Sequence, residues 1–312
     1  MFLQILSKVG LLFIILSIGA LARRKKLLNK ESTSALARIV LVVTLPFLYF
    51  YSLSSNFTFG MLRDIWMLPV FAVLVVAGGY VIAMLLSRFA AMTENEKKTF
   101  IYVATFTNCG FLAIPIANSL YGLEGVVRVV FFNVGFNLLY WTLGIRTLQG
   151  PRGDASSVSG NPALLKNLLN SGTIGLLLGI AAGLALFKIP GFIMDSARIL
   201  GSATIPLALL AVGSMMSEGR ITRLRAYRRP LLLIILCRLI AVPALALFIT
   251  GMFDSLPHLV RAIIVLQSAM PSASTSPIFT ARFGGDPQLA SSAVFATTAC
   301  SIVTVPLFMF LL

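Results

Sequence analysis

Charged residues are scarce in this sequence. They make up 11% of the 312 residues, while apolar residues make up 58% before the 24 Gly are counted. A soluble domain has about 25% charged residues and could not hide this much apolar surface from water. The composition excludes a soluble enzyme, a disordered chain and a nucleic-acid reader. It indicates a protein whose principal partner is the lipid bilayer.

Acidic residues, Cys and His are especially few. The chain has 10 Asp and Glu, and none lies deep within an apolar run. Sodium sites often use carboxylates and proton relays use Asp, Glu or His, so this shortage disfavours both, although backbone carbonyls freed at helix breaks could still bind sodium. The 3 Cys show no CxxC spacing, and the 1 His, His258, lies at the edge of a run. We therefore predict no metal site, no cofactor and no enzyme activity.

Long apolar runs dominate what is present. They are continuous rather than alternating, as from Ile174 to Phe187, which favours membrane helices over barrel strands. The predicted fold class is an all-α polytopic membrane protein with ten transmembrane helices. The predicted spans, numbered helix 1 to helix 10, are 3–22, 34–55, 64–88, 97–120, 123–148, 167–188, 194–217, 229–250, 257–281 and 287–312.

Lys and Arg indicate the orientation of these spans. The loops after the odd-numbered helices, with the adjoining helix ends, hold 17 of the 25 Lys and Arg, against 6 on the other side. Such an excess marks the cytoplasmic side, so we expect a bacterial inner-membrane protein with both termini outside. Because Arg23 to Lys26 follow the first apolar run, we interpret residues 3–22 as a retained helix rather than a signal peptide.

A connector rich in Gly, Pro and Ser divides the chain into halves. The predicted domains are a first five-helix repeat at 1–148, a cytoplasmic linker at 149–166 and a second five-helix repeat at 167–312. Thr44-Leu-Pro46 matches Thr204-Ile-Pro206 at an offset of 160, and Pro115-Ile116 matches Pro277-Ile278 at an offset of 162. Because five crossings per half reverse the direction of entry, we predict an inverted repeat.

Helices 4 and 9 are interrupted by Pro, Gly and small polar residues. The interruptions run from Thr107 to Pro115 and from Pro271 to Pro277. A broken backbone in the membrane must be buried in protein or line a cavity. A pair of broken helices in two inverted halves is typical of a transporter's binding site. We predict that the breaks cross at mid-membrane, with plain proline kinks as the alternative.

Polar residues at and beside the breaks are the candidate substrate-binding residues. They are Asn108, Gly110, Asn133, Asn137, Gln267, Ser272, Ser274 and Thr275. The Asn108 amide can donate to a carboxylate or cap a half-helix, and Ser or Thr can instead bond to its own helix. Asn133 and Asn137, one turn apart, can line a pocket or bond to another helix. Half-helix N-termini favour an anion.

Arg238 is a charge within helix 8. It lies about nine residues from the cytoplasmic end, or roughly 14 Å at 1.5 Å per residue, which is too deep for easy snorkelling. An intramembrane charge indicates a functional role. Arg238 could attract an anion or replace the cation that a symporter binds.

At these residues the sequence resembles the auxin efflux carrier family, whose bacterial members are linked to malonate, malate and related small carboxylates. The resemblance covers nearly the whole chain and rests on the segments Asn108 to Ile116, Met270-Pro271, Thr297 to Pro306 and Arg238 to Pro243. Plant auxin carriers have Pro where this chain has Thr107.

The resemblance implies two inverted five-helix repeats, like the bile acid sodium symporter fold, and elevator-type motion. Helices 3–5 and 8–10 would form a mobile transport domain. Helices 1, 2, 6 and 7 would form a scaffold, with a homodimer through helices 2 and 7. We predict a permease for small organic anions such as mono- or dicarboxylates. The alternatives are a sodium- or proton-coupled symporter of the same fold, and a channel or membrane sensor.

Overall fold

The structure, a computed structural model, describes residues 2–150, 171–184, 189–217 and 221–312. Within these residues the regular structure is helical, apart from one isolated β-bridge between Thr107 and Ser272. We number the helices in chain order and treat each continuous helical run as one helix. They are α1 (Phe2–Arg24), α2 (Lys30–Asn56), α3 (Phe59–Phe89), α4 (Glu94–Thr105), α5 (Ala113–Gln149), α6 (Ser171–Leu184), α7 (Gly191–Met216), α8 (Ile221–Ala226), α9 (Arg228–Gly251), α10 (His258–Ala269), α11 (Ser276–Phe283) and α12 (Pro287–Phe310).

Many of these helices have the length and composition of membrane spans. Among the described residues, seven helices are long and apolar enough to cross a bilayer, namely α1, α2, α3, α5, α7, α9 and α12. The shorter α6 and α10 are also apolar. The prediction of an all-helical polytopic membrane protein is thereby confirmed.

Predicted helices 4 and 9 are each built from two pieces. The first comprises α4, an irregular segment at 106–112 and the opening turns of α5, and the second comprises α10, a segment at 270–275 and α11. Pro115 and Pro277 lie in the first turns of α5 and α11, where a helix needs no N–H donor. Both breaks therefore lie just before these prolines rather than at them.

A sharp turn at Gly122 separates the two parts of α5. Gly122 has φ 62° and ψ −156°, a conformation that side-chain-bearing residues rarely adopt. The turn divides α5 into the second piece of predicted helix 4 and the whole of predicted helix 5. A glycine at this position allows the chain to reverse without an intervening loop.

Two helix pairs pack with their backbones in contact. The pairs are α1 with α7 and α2 with α6. Gly213 of α7 lies against the carbonyl of Leu16 in α1, and Gly175 of α6 lies against the carbonyl of Pro46 in α2. Small residues permit this close approach in membrane helices. These glycines hold the two pairs together by shape rather than by polar bonds.

The helix ends gather on two opposite faces. On one face, Asp286 caps α12, accepts a hydrogen bond from the Tyr227 hydroxyl at 2.7 Å and donates its N–H to Thr99 at 2.7 Å. On the other face, the Ser54 hydroxyl at the end of α2 lies 3.5 Å from the Met194 sulfur in α7. The membrane orientation of these faces stays a prediction.

Some sequence predictions fall outside the described residues. They concern the linker at 149–166 from residue 151 onward and, within predicted helix 6, residues 167–170 and 185–188. The boundaries of the two predicted repeats and the length of the linker therefore stay predictions.

Candidate functional site

The two breaks are joined by backbone hydrogen bonds. The N–H of Asn108 donates to the carbonyl of Pro271 at 2.8 Å, and the N–H of Ala273 donates to the carbonyl of Phe106 at 3.1 Å. The segments run antiparallel, with Thr107 opposite Ser272. Pro271 has no N–H, but its carbonyl is the acceptor in this pair. The broken backbone thus finds partners in the other broken helix, as burial within a membrane requires.

Two hydroxyls extend this backbone pairing. Thr107 Oγ1 donates to the carbonyl of Gln267 at 3.3 Å, and Ser272 Oγ donates to the carbonyl of Val103 at 2.7 Å. Each hydroxyl therefore bonds to the last turns of the other half-helix. The N–H of Ser272 also donates to Thr297 Oγ1 at 3.2 Å. Ser272, predicted to bind substrate, here uses its side chain to hold the crossing together.

Two side-chain amides, of Asn133 and Gln267, meet beside the crossing, and a third, of Asn108, lies within the first break. Asn133 of α5 donates to the carbonyl of Cys109 at 3.2 Å, and its Oδ1 accepts from Gln267 Nε2 at 3.1 Å. Asn133 thus bonds to both breaks. Asn108 is 3% exposed and Gln267 is fully buried. Asn108 Nδ2 and Gln267 Oε1 have no hydrogen-bond partner among the described residues. We name Asn108, Asn133 and Gln267 the amide cluster.

Unpartnered polar atoms in the amide cluster are costly. A buried donor or acceptor without a partner costs about 1–3 kcal/mol. Asn108 offers a donor, which suits a carboxylate oxygen, while Gln267 offers an acceptor, which suits a hydroxyl or a protonated acid. A Cβ added at Gly110 would meet no atom within 4 Å, so there is open space beside the first break. This arrangement can bind a small polar ligand.

Tyr49 brings a further polar group to the amide cluster. It lies on α2, close to the Asn133 side chain. The sequence analysis did not identify Tyr49. A tyrosine within a predicted membrane span is the signal that could have found it, because its hydroxyl normally needs a partner when it is buried.

Arg238 lies where α4 and α10, the helices that precede the two breaks, come to their ends. It is 1% exposed and sits in a π-helical turn, Cys237–Ala241, within α9. One guanidinium nitrogen donates to the carbonyl of Thr105 at 2.8 Å, and another donates to the carbonyl of Ser268. These carbonyls belong to the last turns of α4 and α10, where helix dipoles concentrate negative charge. Arg238 has no ion pair with a carboxylate in the described parts of the chain.

The remaining predicted residues are placed less centrally. Thr275 Oγ1 lies 3.1 Å from the hydroxyl of Tyr140, in hydrogen-bond contact. Ser274 is 4% exposed, and its hydroxyl has no partner among the described residues. Asn137 is half-buried one turn from Asn133 and makes no described side-chain bond to the amide cluster. The structure therefore brings Asn133, but not Asn137, to the crossing.

Metal-binding groups are not gathered here. No group of three or more His, Cys, Asp or Glu that could hold an ion occurs in the part of the chain that the structure describes. The chemistry of the site is that of amides, hydroxyls and one guanidinium. Such groups bind and orient a ligand by hydrogen bonds and charge.

The model of the membrane transport protein family matches residues 4–309. The chain belongs to this family. The match covers almost all of the sequence and confirms the resemblance to the auxin efflux carriers. The protein is thus a multi-pass membrane transporter, and the family supports a transport role rather than catalysis.

Two relatives match along nearly their whole length. An uncharacterised transporter of Methanocaldococcus jannaschii is 26% identical over 303 residues, which is 96% of each chain. An uncharacterised transporter of Methanothermobacter thermautotrophicus is 27% identical over 298 residues, which is 94% of each chain. The likeness extends over both breaks and the helices around them.

Proposed function

We propose that the protein is a sodium-independent carrier of small organic anions such as mono- or dicarboxylates. The observation that carries this proposal is the amide cluster at the crossed breaks, where the buried Asn108 Nδ2 has no hydrogen-bond partner in the described part of the chain. A carboxylate would supply the missing acceptor, and hydrogen bonds to charged groups are about twice as strong as neutral ones. Binding of the ligand would therefore offset the free-energy cost of leaving this donor unpaired.

We further propose the ten-crossing inverted repeat. The packing supports it, because α1 pairs with α7 and α6 pairs with α2. Helices 1 and 6 occupy equivalent places in the two predicted repeats, and so do helices 2 and 7. Exchanging the repeats therefore converts the pair α1–α7 into the pair α6–α2. The bonds at the breaks are reciprocal in the same way, since Thr107 donates to α10 and Ser272 donates to α4. An inverted repeat produces both patterns at once.

Alternating access by an elevator-type motion follows from this arrangement. The scaffold would comprise α1, α2, α6 and α7, which hold together through glycine contacts. The moving part would carry both breaks. Tyr49 reaches the amide cluster from the scaffold side, so the substrate would bind at the boundary between the two parts. Movement of one part would then expose the site to either side of the membrane.

Sodium independence is supported by Arg238. Carbonyls freed at helix breaks are the groups that could have bound a cation in a chain without deep carboxylates. The Arg238 guanidinium already donates to two of them, at Thr105 and Ser268. A sodium ion would have to compete with a fixed, permanently charged group for the same oxygens. The positive charge also favours an anion nearby.

We retain the predicted orientation and assembly as proposals. Asp286, just before α12, bonds to Thr99 of α4 and to Tyr227, just before α9. These helix ends, which lie near basic segments, therefore share one face of the protein. This supports a cytoplasmic face there and termini outside, in a bacterial inner membrane. The exposed apolar residues of α2, such as Val42 and Phe47, leave room for lipid or for a homodimer through helices 2 and 7.

Counterflow into proteoliposomes tests the proposal. Vesicles are preloaded with unlabelled malonate, labelled malonate is added outside, and uptake is followed with sodium or choline as the cation. We expect saturable counterflow of equal size in both. Asn108→Ala should lower it about 10–100-fold, since a hydrogen bond to a charged group contributes about 1.5–3 kcal/mol.

Asn118→Ala is the matched control, because Asn118 is the same residue type and lies in α5, ten residues further along the chain than Asn108. It should transport like the wild type. Counterflow only with sodium would contradict sodium independence and favour the symporter. Non-saturable flux would indicate a channel, and unchanged transport by Asn108→Ala would remove the crossed breaks as the site.

A further inference from the structure

A cavity lies at the boundary between the proposed scaffold and the proposed moving part. It is lined from α2 by Lys30, Thr33 and Ser34, from the second break by Ser274, and from α12 by Ser291, with residues of α7 and α11 completing it. Its volume is about 50 Å³, several times the roughly 10–15 Å³ that one water needs. The space accommodates a carboxylate group, and Ser274 connects it with the second break.

The free polar groups of this cavity suit an anion. Thr33 and Ser34 already use their hydroxyls, since Thr33 Oγ1 donates to the Asn29 carbonyl at 2.7 Å and Ser34 Oγ donates to the Lys30 carbonyl at 2.9 Å. The Ser274 hydroxyl is buried and unpartnered among the described residues. Lys30 is exposed and forms no ion pair there. Lys30 and Ser274, which both line the cavity, therefore offer it a positive charge and a hydroxyl that has no partner among the described residues.

The backbone adds to this preference. The cavity lies at the start of α11, an eight-residue helix, and Pro277 and Ile278 of its first turn form part of the wall. The N-terminus of a helix carries partial positive charge. No carboxylate lines the cavity among the described residues. Charge, helix end and hydroxyl all favour a ligand of negative charge.

We propose that this cavity is a second carboxylate-binding site, at which Lys30 and Ser274 hold the substrate between the crossed breaks and the face where α2 begins. The inference rests on the proposed function. It assigns to Lys30 the selection of anions on one side of the membrane. The site at the amide cluster binds the substrate during translocation, and this second site, on the predicted cytoplasmic side, binds it on entry or release.

Kinetics in membrane vesicles of both orientations test this site, with malonate as the probe. In one orientation, Lys30→Gln should raise the half-saturation concentration for malonate about fivefold, the size expected for one solvated charge near an anion. The maximal rate should change less than twofold, and Lys30→Arg should restore the affinity. Lys25→Gln, which removes a charge from the same loop outside the cavity, should behave like the wild type.

Ser274→Ala provides an independent variant. Its hydroxyl has no partner to lose within the described residues, so the fold should tolerate the change, and the affinity should fall in the same vesicle orientation as for Lys30→Gln. Ser276→Ala, which removes another buried unpartnered hydroxyl outside the cavity, is its control. If Lys30→Gln matches Lys25→Gln, or changes affinity equally in both orientations, the second site is wrong while the carrier remains. If the wild type shows no malonate counterflow, the proposed function itself fails and the site fails with it.

Discussion

The glycine-packed helix pairs and the crossed breaks bury their backbones within the membrane in opposite ways. At the pairs, Gly213 and Gly175 let the backbones of neighbouring helices touch while both residues stay within regular helix. At the breaks, backbone groups must find partners in another helix, and Asn108 and Gln267 each have a side-chain atom without a partner among the residues that the structure describes. Close packing stabilises the helix pairs, whereas these polar atoms destabilise the folded state at the breaks.

This contrast separates stability from function. Close packing through small residues holds membrane helices together without polar groups. Unpaired buried polar atoms weaken a fold by about 1–3 kcal/mol each and are retained where they serve a ligand. Changes at the glycines should therefore affect the amount of folded protein. Changes at the breaks should affect transport.

The largest effect is expected from Gly213→Leu. A side chain at this position would overlap the backbone of Leu16 in α1, and because backbone cannot move aside, the pair must separate. Overpacking of this kind costs about 3 kcal/mol or more. We expect little monodisperse protein in detergent, as measured by size-exclusion chromatography. Gly10→Leu is the control, since a Cβ there meets nothing within 4 Å; equal behaviour of the two variants would contradict the packing argument.

Arg238→Gln should have the next largest effect. It removes donors from the Thr105 and Ser268 carbonyls, at about 1–3 kcal/mol for each unpaired group. We expect a lower Tm and loss of most counterflow. If the guanidinium replaces a cation, sodium should raise the Tm of this variant relative to choline but leave the wild type unchanged. Equal sodium effects on both proteins would show that Arg238 does not occupy a cation position.

A smaller effect should distinguish Asn133 from Asn137. Asn133→Ala breaks the bonds to Cys109 and Gln267, so we expect malonate affinity in counterflow to fall about tenfold, as for loss of roughly 1.4 kcal/mol. Asn137→Ala, one turn away, should leave the malonate affinity within about twofold of the wild type. This corresponds to a much smaller change in binding free energy than the one expected for Asn133→Ala. Equal losses would mean that the site extends along α5, as the sequence alone suggested.

The smallest effect is expected at a helix cap outside both regions. Asp286 accepts from the N–H groups of Gln288 and Leu289 at the start of α12. Asp286→Ala should lower stability by about 1 kcal/mol, visible as a Tm lower by a few degrees. Malonate counterflow per folded molecule should be unchanged. A transport defect here would show that the breaks are coupled to this face.

The positions of the breaks could be predicted because Pro and Gly act locally. Pro271 and Pro277 have no backbone N–H to donate, so they disfavour a continuous helix through this part of helix 9. The roles of the polar residues within the breaks could not be predicted in the same way. Ser272 and Asn108 look equally suited to bind a ligand in the sequence, yet the Ser272 hydroxyl bonds to Val103, while the Asn108 amide nitrogen has no partner in the described structure.

The sequence by itself determined that the solvent is lipid, that the elements are helices and where two of them break, because composition and backbone chemistry act over a few residues. Only the tertiary structure decided which polar atoms meet. Arg238 bonds to Thr105 and Ser268, at sequence separations of 133 and 30 residues, and Lys30 shares a cavity with Ser274. Such partnerships depend on how distant helices pack, and no local pattern encodes them.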